Sequence, residues 1–148
     1  MEVTKTFELV DNLLDGLQRD DALTVKRKGK WEKFSTLKYK EFVDNFSFGL
    51  ITLGFKKGDK IVSVSNNRPE WNFIDMGMTQ VGVVHVPIYS NLGAKEYEHI
   101  LSHSDAKIVI TSSEEYYDKI SEPAQKSDNI EKIYSFDQIE GVASWMEI

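Results

Sequence analysis

Three short polar segments follow β-branched runs of the sequence, at positions where an α/β protein could bind a small ligand. They are Ser65–Arg68, Tyr89–Gly93 and Thr111–Ser113. In a doubly wound parallel sheet, ligands bind outside the carboxyl ends of the strands, which is where these segments are expected to lie. They lack the clustered aspartates with which a phosphate-accepting receiver domain holds Mg²⁺. They also lack the glycine-rich turn of a flavin or dinucleotide site, so the sequence gives little support to such a cofactor.

Two other spacings come close to ligand-binding motifs without completing them. His99 and His103 lie four residues apart on a predicted helix, a spacing with which two imidazoles can share a zinc ion. Glu96 falls on the same face, but the order of residues in a zinc-protease helix is missing, and we expect no metal site. Residues 54–60, Gly-Phe-Lys-Lys-Gly-Asp-Lys, resemble a phosphate-binding loop that is one residue short and follows a helix rather than a strand. We predict a surface turn there.

The alternation of strand-like and helix-like segments predicts a parallel sheet. Four β-branched runs are separated by helical stretches of about ten residues, the kind of connection that parallel strands require. Right-handed crossovers are expected to place the helices on both faces of the sheet. Capping boxes are expected at Asn67–Glu70 and Ser112–Glu115, because each pairs a capping side chain with a glutamate three residues later. The β-branched runs are Lys60–Ser65, Val83–Tyr89, Lys107–Thr111 and Ile130–Phe136.

A helix, a hairpin and a second helix precede this alternation. Apolar residues recur at helical spacing over Phe7–Leu17 and predict an amphipathic leading helix. Two β-rich stretches flank Lys28-Gly29 and predict a hairpin. Helical spacing over Tyr39–Leu53 predicts a helix that Gly54 ends in a left-handed conformation. The expected fold class is therefore α/β, organised as a leading helix (1–20), a β-hairpin (21–35), an α/β subdomain (36–137) and the start of a continuation (138–148).

Two residues near the polar segments are expected to be structural. Pro69 can fix a first helical turn, and Trp71 stands at helical spacing from Ile74 and Met78. This spacing predicts a buried stripe that begins at Trp71. Pro87 removes a hydrogen-bond donor from its strand, so we expect it near a strand end or on an edge strand.

Composition bounds the classes of function. The 148 residues are 41% hydrophobic, which suffices for the core of one domain. A formal net charge of −6 gives no electrostatic reason to bind phosphate backbones, so no nucleic acid partner is expected. The absence of cysteine excludes disulfides and thiolate sites. No stretch approaches the roughly 20 apolar residues of a membrane span, and we expect a cytoplasmic protein. The sequence stops just after a strand-like stretch, without a polar tail or a closing helix, and we expect it to be the first part of a longer protein.

Six short motifs follow one another between Trp31 and Phe136. They are Tyr39-Lys-Glu-Phe42, Gly54-Phe-Lys-Lys-Gly58-Asp59-Lys60, Asn67-Arg-Pro-Glu-Trp71, Gly82-Val-Val-His-Val-Pro87, Glu98-His-Ile-Leu101 and Ala106-Lys-Ile-Val-Ile110. In this order they resemble the amino-terminal part of the adenylate-forming acyl-CoA synthetases, the superfamily that also contains firefly luciferase and peptide-synthetase adenylation domains. The resemblance implies the first subdomain of the adenylate-forming synthetase fold.

The stretch from Pro87 to Gly93 is most similar to the long-chain fatty acid branch of this superfamily. Its pattern is Pro-x-Tyr-x-Asn-Leu-Gly, whereas that branch has a threonine in place of Asn91. Lys38 departs from the pattern as well. It stands where the family usually has a Ser or Thr helix cap, which should weaken the start of that helix.

The resemblance implies the amino-terminal portion of a long-chain fatty acid–CoA ligase. In the whole enzyme, ATP and a fatty acid would give an acyl-adenylate and pyrophosphate, with Mg²⁺ offsetting the phosphate charge, and coenzyme A would then displace AMP. The family's phosphate loop, Tyr-Gly-x-Thr-Glu stretch, ribose-binding aspartate and carboxyl-terminal lysine have no counterpart here. We therefore assign no catalytic or metal-binding residue, and expect the chain alone to be inactive and to hold no cofactor. Ser90 and Asn91 fall near the nucleotide part of coenzyme A in some relatives, although Asn91 offers no charge to a phosphate.

The implied partners are a long-chain fatty acid, the rest of the protein's own chain and, peripherally, a membrane surface. Two alternatives stay open. The chain could be a stand-alone flavodoxin-like module that binds a small ligand, although glutamates at its strand-end crevice oppose this reading. It could also belong to an adenylate-forming ligase that activates an amino acid or an aryl acid.

Overall fold

The computed structural model describes residues 3–148 and divides them into two compact units. The first, here called the helical unit, contains the residues up to Gly54 together with Asn67–Val81. The second, the sheet unit, contains Phe55–Asn66 and Gly82–Ile148. The chain therefore leaves the helical unit for one strand, returns for one helix and then completes the sheet unit. Among residues 3–148, no helix combines the length and the apolar character that crossing a bilayer requires.

The helical unit contains the leading helix and the hairpin that the sequence predicts. The two strands pair antiparallel, and Lys26 lies opposite Trp31. Lys28 and Gly29 have φ values of 48° and 79°, as the two central residues of a type I′ turn need. In the part of the unit that the structure describes, the elements are α1 (Glu8–Gly16), β1 (Leu23–Arg27), β2 (Lys30–Phe34), α2 (Thr36–Thr52) and α3 (Pro69–Val81).

Helix α2 begins at a serine cap. Ser35 has extended backbone, and its hydroxyl accepts a hydrogen bond from the Lys38 amide at 3.1 Å. Lys38 is thus the third residue of the helix and not its cap. The expected weakening of this helix start is wrong, because the serine three residues earlier already satisfies the amide. Gly54 has a φ of 84° and follows the end of α2 as predicted.

Helix α3 buries a face at whose edge Trp71 lies. Phe73, Ile74, Gly77 and Met78 are buried, whereas Trp71 is only half-buried. Our prediction that Trp71 begins the buried stripe is therefore wrong. Helical rotation places Phe73 at one margin of the buried arc and Trp71 just beyond Met78 at the other, with the centre between Gly77 and Ile74. At Gly77 the two helices come close, since a Cβ added there would lie 2.9 Å from a side-chain atom of α2.

Three aromatic side chains surround Phe73 inside the helical unit. Its ring stacks on Phe42 with centroids 4.7 Å apart and meets Phe34 and Tyr39 at 5.3 and 5.5 Å. Aromatic pairs at such separations add about 0.5–1.5 kcal/mol to the stabilisation from buried area. Burial, followed by the charge of Asp75, raises the pKa of Tyr39 to about 12. The aromatic cluster thus joins β2, α2 and α3, and its one ionisable ring, Tyr39, stays uncharged at neutral pH.

A buried carboxylate joins the hairpin to α3. Glu70, predicted as half of a capping box, accepts hydrogen bonds from Arg68 Nε at 2.9 Å and from Arg27 of β1. The Glu70 side chain is only 9% exposed and that of Arg68 13%. Burial by itself raises the pKa of Glu70, but hydrogen bonds from Arg68, from its own amide and from Arg27 hold it below its ordinary value. The carboxylate is therefore charged when it binds the two arginines.

The sheet unit contains five parallel strands in the order β4-β3-β5-β6-β7. The first four in chain order lie within the predicted runs, and a two-residue strand extends the sheet beyond them. Pro87 lies on β4, an edge strand, where its missing amide donor is tolerated as predicted. The elements are β3 (Lys60–Val64), β4 (Val84–Ile88), α4 (Ala94–Ser104), β5 (Ile108–Thr111), α5 (Glu114–Gln125), β6 (Lys132–Ser135), β7 (Ala143–Ser144) and a 3₁₀ turn (Trp145–Glu147).

Helices α4 and α5 pack on one face of the sheet and form the core of the sheet unit. Burying one valine, leucine or isoleucine side chain stabilises the folded state by about 1.5–3 kcal/mol. Strand β5 is buried along its whole length, as is typical of a strand inside a parallel sheet. The parallel sheet and its helices confirm the predicted α/β class. The buried cluster consists of Val62, Val64, Ile88, Tyr97, Leu101, Ala106, Val109, Tyr116, Ile120 and Ala124.

The lysine-rich segment before β3 forms the predicted turn. The Lys56 amide donates to the Asp59 carboxylate at 2.8 Å, and the Asp59 amide returns a hydrogen bond to the Lys56 carbonyl at 3.0 Å. The Gly58 amide donates to the carbonyl of Gly82 at 2.9 Å, which fixes the turn beside the start of β4. The amides of Lys56, Gly58 and Asp59 are therefore all hydrogen-bonded within the protein.

The capping box predicted for Ser112–Glu115 is wrong. Helix α5 is preceded by Ser113, whose side chain makes no capping hydrogen bond. The Ser112 hydroxyl instead accepts a hydrogen bond from the Asn66 amide at 3.3 Å, and Glu115 pairs with Lys119. Ser112, which the local pattern assigns as the cap of α5, therefore makes a tertiary contact with Asn66 instead.

We expect Phe73→Ala to destabilise the protein far more than Trp71→Ala. Phe73 is fully buried, so its truncation should lower the free energy of unfolding by about 3–5 kcal/mol. Trp71 keeps part of its surface in solvent, and its truncation should cost roughly 1–2 kcal/mol. Urea titrations of both variants measure the two values. Equal losses would contradict the position of Trp71 at the edge of the buried arc.

We expect Glu70→Gln to lower the free energy of unfolding by about 3 kcal/mol at neutral pH, because Arg27 and Arg68 lose a buried counter-charge. The folded-state pKa of Glu70 lies below its ordinary value of 4.5. The stabilisation that the Glu70 carboxylate gives the folded protein is therefore complete above pH 4.5. It is lost as the pH falls through the lowered pKa of the folded state. Wild type and variant should converge in stability at acid pH.

Glu122→Gln is the matched control for the Glu70 prediction. It removes one of the two ion-pair partners of Lys126, the other being Glu98, in an exposed pair at the end of α5, and it should leave stability nearly unchanged. Chemical unfolding across a pH series measures the free energy of unfolding of the wild type, Glu70→Gln and Glu122→Gln. A difference between wild type and Glu70→Gln that stays constant with pH would show that the carboxylate charge is not responsible.

Candidate functional site

The carboxyl ends of the parallel strands bring the predicted polar segments to one edge of the sheet unit. Strands β3, β4 and β5 run in the same direction, so Asn66, the loop Tyr89–Gly93 and Ser112 all follow strand ends at this edge. Ser135 ends β6 there as well. Two further residues of the predicted segments, Asn67 and Arg68, belong to the helical unit. The edge formed by the sheet-unit residues is the candidate site.

Asn66 connects the end of β3 to the start of α5. Its amide donates to Ser112 Oγ at 3.3 Å, and its side-chain oxygen accepts a hydrogen bond from the Tyr116 hydroxyl at 2.6 Å. The Ser112 amide donates in turn to the Val64 carbonyl at 3.1 Å. Ser112 and Tyr116 are buried, whereas Asn66 is exposed. The network therefore holds an exposed amide side chain in one orientation at this edge.

The loop Tyr89–Gly93 leads from the edge strand β4 into α4. The hydroxyl of Tyr97 donates to the Tyr89 carbonyl at 3.2 Å and fixes the start of the loop. Burial raises the pKa of Tyr97, which keeps this hydroxyl protonated as a donor. The Tyr89 side chain is 81% exposed. Ser90 is half-buried and Asn91 is exposed, so a ligand could reach both from solvent.

An open groove follows this loop along α4. It has a volume of about 400 Å³, which is within the range of small-molecule sites. Two aliphatic and three ionisable side chains form its walls. They belong to Leu92, Lys95, Glu96, His99 and Ile100.

The start of α4 does not offer a phosphate site. Glu96 lies in the first turn, and its carboxylate comes within 2.8 Å of the position of a Cβ added at Gly93, the residue that precedes the helix. A carboxylate there occupies the positive end of the helix dipole and repels a second anion. Ser90 and Asn91 offer neutral hydrogen bonds. The loop therefore offers neutral hydrogen bonds and disfavours an anion at this place.

The start of α5 is acidic as well. Glu114 and Glu115 lie in its first turn, and both are exposed. Lys119 neutralises one of them through an ion pair with Glu115 at 2.7 Å. The negative charge of Glu114 in this first turn disfavours a phosphate at the start of α5.

The paired histidines lie on α4 with ring centroids 4.9 Å apart. His103 is in the last turn of α4. Across residues 3–148, no three or more Asp, Glu, His or Cys side chains are grouped so that they could hold a metal ion. These described residues therefore supply no ligand set for the Mg²⁺ that the family resemblance implies.

Two residues of the edge were not indicated by the sequence. Tyr116 reaches Asn66, fifty residues earlier, and its apolar place on α5 predicts burial but not this hydrogen bond. Ser135 is 1% exposed, and in the described part of the chain its hydroxyl has no hydrogen-bond partner. A buried unpaired hydroxyl costs about 1–3 kcal/mol. No local pattern distinguishes either residue from ordinary core positions.

Known proteins are similar to this chain in sequence and in fold. The family model for AMP-binding enzymes matches residues 16–146. Fatty acyl-CoA synthetase A of Dictyostelium discoideum is 31% identical over 142 residues, which cover 91% of this chain and 21% of that protein. A long-chain-fatty-acid–CoA ligase of Mycobacterium bovis is 29% identical over 94 residues, which cover 64% of this chain and 16% of that protein.

Solved structures show the same architecture. The crystal structure of an anthranilate CoA ligase in complex with anthranoyl-AMP superposes with a TM-score of 0.79 at 19% sequence identity. The superposition covers 96% of this chain and 27% of that chain. The chain thus spans about a fifth of the length of the curated relatives it matches.

Proposed function

This chain belongs to the AMP-binding enzyme family, and on that basis we propose that the protein is an AMP-forming acid–CoA ligase that uses a long-chain fatty acid. The match of the family model to residues 16–146 carries the proposal. It favours a ligase over a stand-alone flavodoxin-like module. In this proposal the chain is the amino-terminal portion of the enzyme, and the enzyme acts in the cytoplasm.

The proposed reaction has two steps. The acid carboxylate attacks the α-phosphorus of ATP, pyrophosphate leaves, and an acyl-adenylate forms. The coenzyme A thiolate then attacks the acyl carbon, and AMP leaves with the electrons of the broken C–O bond. Mg²⁺ offsets phosphate charge in chemistry of this kind. Because both nucleophiles come from substrates, the protein's task is to bind and orient them and to exclude water.

Within this chain, we assign the loop Tyr89–Gly93 to the binding of the nucleotide part of coenzyme A. Three observations support the assignment: the loop lies at the carboxyl edge of the sheet, Asn91 is exposed, and an open groove continues from it along α4. Because Glu96 disfavours an anion at this place, Ser90 and Asn91 are proposed to bind the sugar or base through neutral hydrogen bonds. Phosphate recognition is assigned to other parts of the enzyme.

The choice of a long-chain fatty acid has two supports. The stretch from Pro87 to Gly93 resembles the long-chain branch, and two relatives are named for fatty acids. An aryl acid is the second candidate, because the anthranilate CoA ligase matches the fold over 96% of this chain. The loop itself does not decide between them, since the exposed ring of Tyr89 encloses no acyl pocket.

Acid-dependent pyrophosphate exchange tests the reaction and its substrate. We expect the protein encoded by the whole reading frame that contains this chain to catalyse exchange with palmitate at least about tenfold faster than with anthranilate or acetate. Exchange with anthranilate alone would show that the substrate is an aryl acid and not a fatty acid, and it would still support an acid–CoA ligase. The 148-residue chain, assayed in parallel, should give no exchange, because the family's phosphate loop and lysine have no counterpart in it.

Asn91→Ala separates the two steps of the reaction. If Asn91 contacts coenzyme A, the variant should raise the KM for coenzyme A about fivefold, the value of one neutral hydrogen bond. Pyrophosphate exchange, which needs no coenzyme A, should be unchanged. Asn129→Ala is the matched control, since Asn129 is an exposed asparagine outside the loop. A wild-type KM in Asn91→Ala, or an equal effect in both variants, would overturn the assignment.

A further inference from the structure

The β-hairpin of the helical unit concentrates positive charge in an acidic chain. Residues 26–33 contain five basic side chains and one acidic one, whereas the whole chain has a formal net charge of −6. Such a separation of charge is typical of a surface that meets an anionic partner. The basic residues are Lys26, Arg27, Lys28, Lys30 and Lys33.

The register of the hairpin places an exposed tryptophan among these lysines. Trp31 lies opposite Lys26, and Lys33 lies opposite Thr24, so the four side chains share one face of the hairpin. Trp31 is 65% exposed, and Lys26 and Lys33 are exposed as well. Lys28 stands in the turn at the tip. This face, here called the outer face, combines a large exposed indole with ammonium groups on either side.

Three of the lysines keep their charge available. Among residues 3–148, Lys26, Lys28 and Lys30 take part in no ion pair. Arg27 differs, because it binds the buried Glu70 and so attaches the hairpin to α3. Side chains alternate between the two faces of a strand, so this attachment uses the face opposite to Trp31. The Arg27–Glu70 ion pair thus holds the hairpin against α3 and leaves the outer face exposed.

We propose that the hairpin tip and its outer face bind the surface of a bilayer that contains anionic lipids. Tryptophan is enriched at membrane–water interfaces, because its ring is apolar while its N–H can bond to headgroups or water. A lysine close to an anionic leaflet contributes about 1 kcal/mol, or about fivefold in partitioning. One indole with a few lysines is a weak anchor, so the binding is reversible and sensitive to salt.

A lipid surface suits this hairpin better than nucleic acid does. Sequence-independent binding of a nucleic acid strand uses a basic groove that follows the backbone and several aromatic rings that stack on bases. The hairpin offers one exposed ring, Trp31, and its charge is confined to eight residues of an acidic chain. At physiological salt, attraction reaches only about 8–10 Å, which is enough for headgroups at the tip but not for a long strand.

Vesicle flotation at physiological salt tests the proposal. We expect the protein to float with phosphatidylcholine vesicles that contain about one-third phosphatidylserine, and not with vesicles of phosphatidylcholine alone. The combined variant Lys26→Gln, Lys28→Gln and Lys30→Gln should partition about a hundredfold less onto the anionic vesicles. Circular dichroism spectra establish that the variant is folded.

A second triple variant controls for net charge. Lys56→Gln, Lys57→Gln and Lys95→Gln remove the same number of exposed lysines from the sheet unit. This variant should bind the anionic vesicles as the wild type does. Equal loss of binding in both triple variants would show a non-specific effect of charge and overturn the proposal.

Tryptophan fluorescence reports on the outer face directly. On anionic vesicles the wild-type emission should shift to shorter wavelength, because the indole of Trp31 leaves water. Trp31→Phe should lose this shift, since Trp71 is half-buried and Trp145 is buried in the free protein. A shift that persists in Trp31→Phe would overturn the role of the outer face.

Two further outcomes would overturn the proposal. One is equal binding to vesicles with and without phosphatidylserine. The other is binding of a single-stranded oligonucleotide, lost in the hairpin variant, without any binding of vesicles, which would assign the tip to nucleic acid. The assays contain no ATP, fatty acid or coenzyme A, so their failure leaves the ligase proposal intact. Failure of pyrophosphate exchange likewise leaves this proposal intact.

Discussion

Parallel hydrogen bonding of β3 to both β4 and β5 is the constraint on which the sheet unit depends. Val62 at the centre of β3 pairs with Val86 on one side and Val109 on the other. Parallel neighbours cannot be joined by a tight turn, so each strand must be followed by a longer connection that returns to the opposite end. All the carboxyl ends then fall on one edge. The Asn66 network and the loop after β4 lie together for this reason and not because of any attraction between them.

The chemistry of that edge is neutral to acidic. Glu96, Glu114 and Glu115 lie in the first turns of its two helices, where backbone amides would otherwise favour an anion. Ser90 and Asn91 add polar groups without charge. The neutral hydrogen bonds that we propose for coenzyme A are therefore assigned to Ser90 and Asn91 and not to the glutamates.

The hairpin of the helical unit shows how strand alternation separates two uses of basic residues. Arg27 lies on one face and binds Glu70, a buried carboxylate whose pKa the ion cluster lowers. Lys26 and Trp31 lie on the other face and are exposed. Because neighbouring residues of a strand point to opposite faces, the same short segment can be held firmly in the fold and still present a charged surface.

The sequence by itself determined which segments form helices, strands and turns, because those depend on neighbours in the chain. Local pattern predicted the turn at Lys28-Gly29, the helix end at Gly54 and the four strand runs. The order of the six motifs resembled that of the adenylate-forming acyl-CoA synthetases. Tertiary structure decided the side-chain contacts: Trp71 at the edge of a buried arc, and Ser112 and Tyr116 bound to Asn66. These contacts join residues far apart in the chain, so packing and not local pattern selects them.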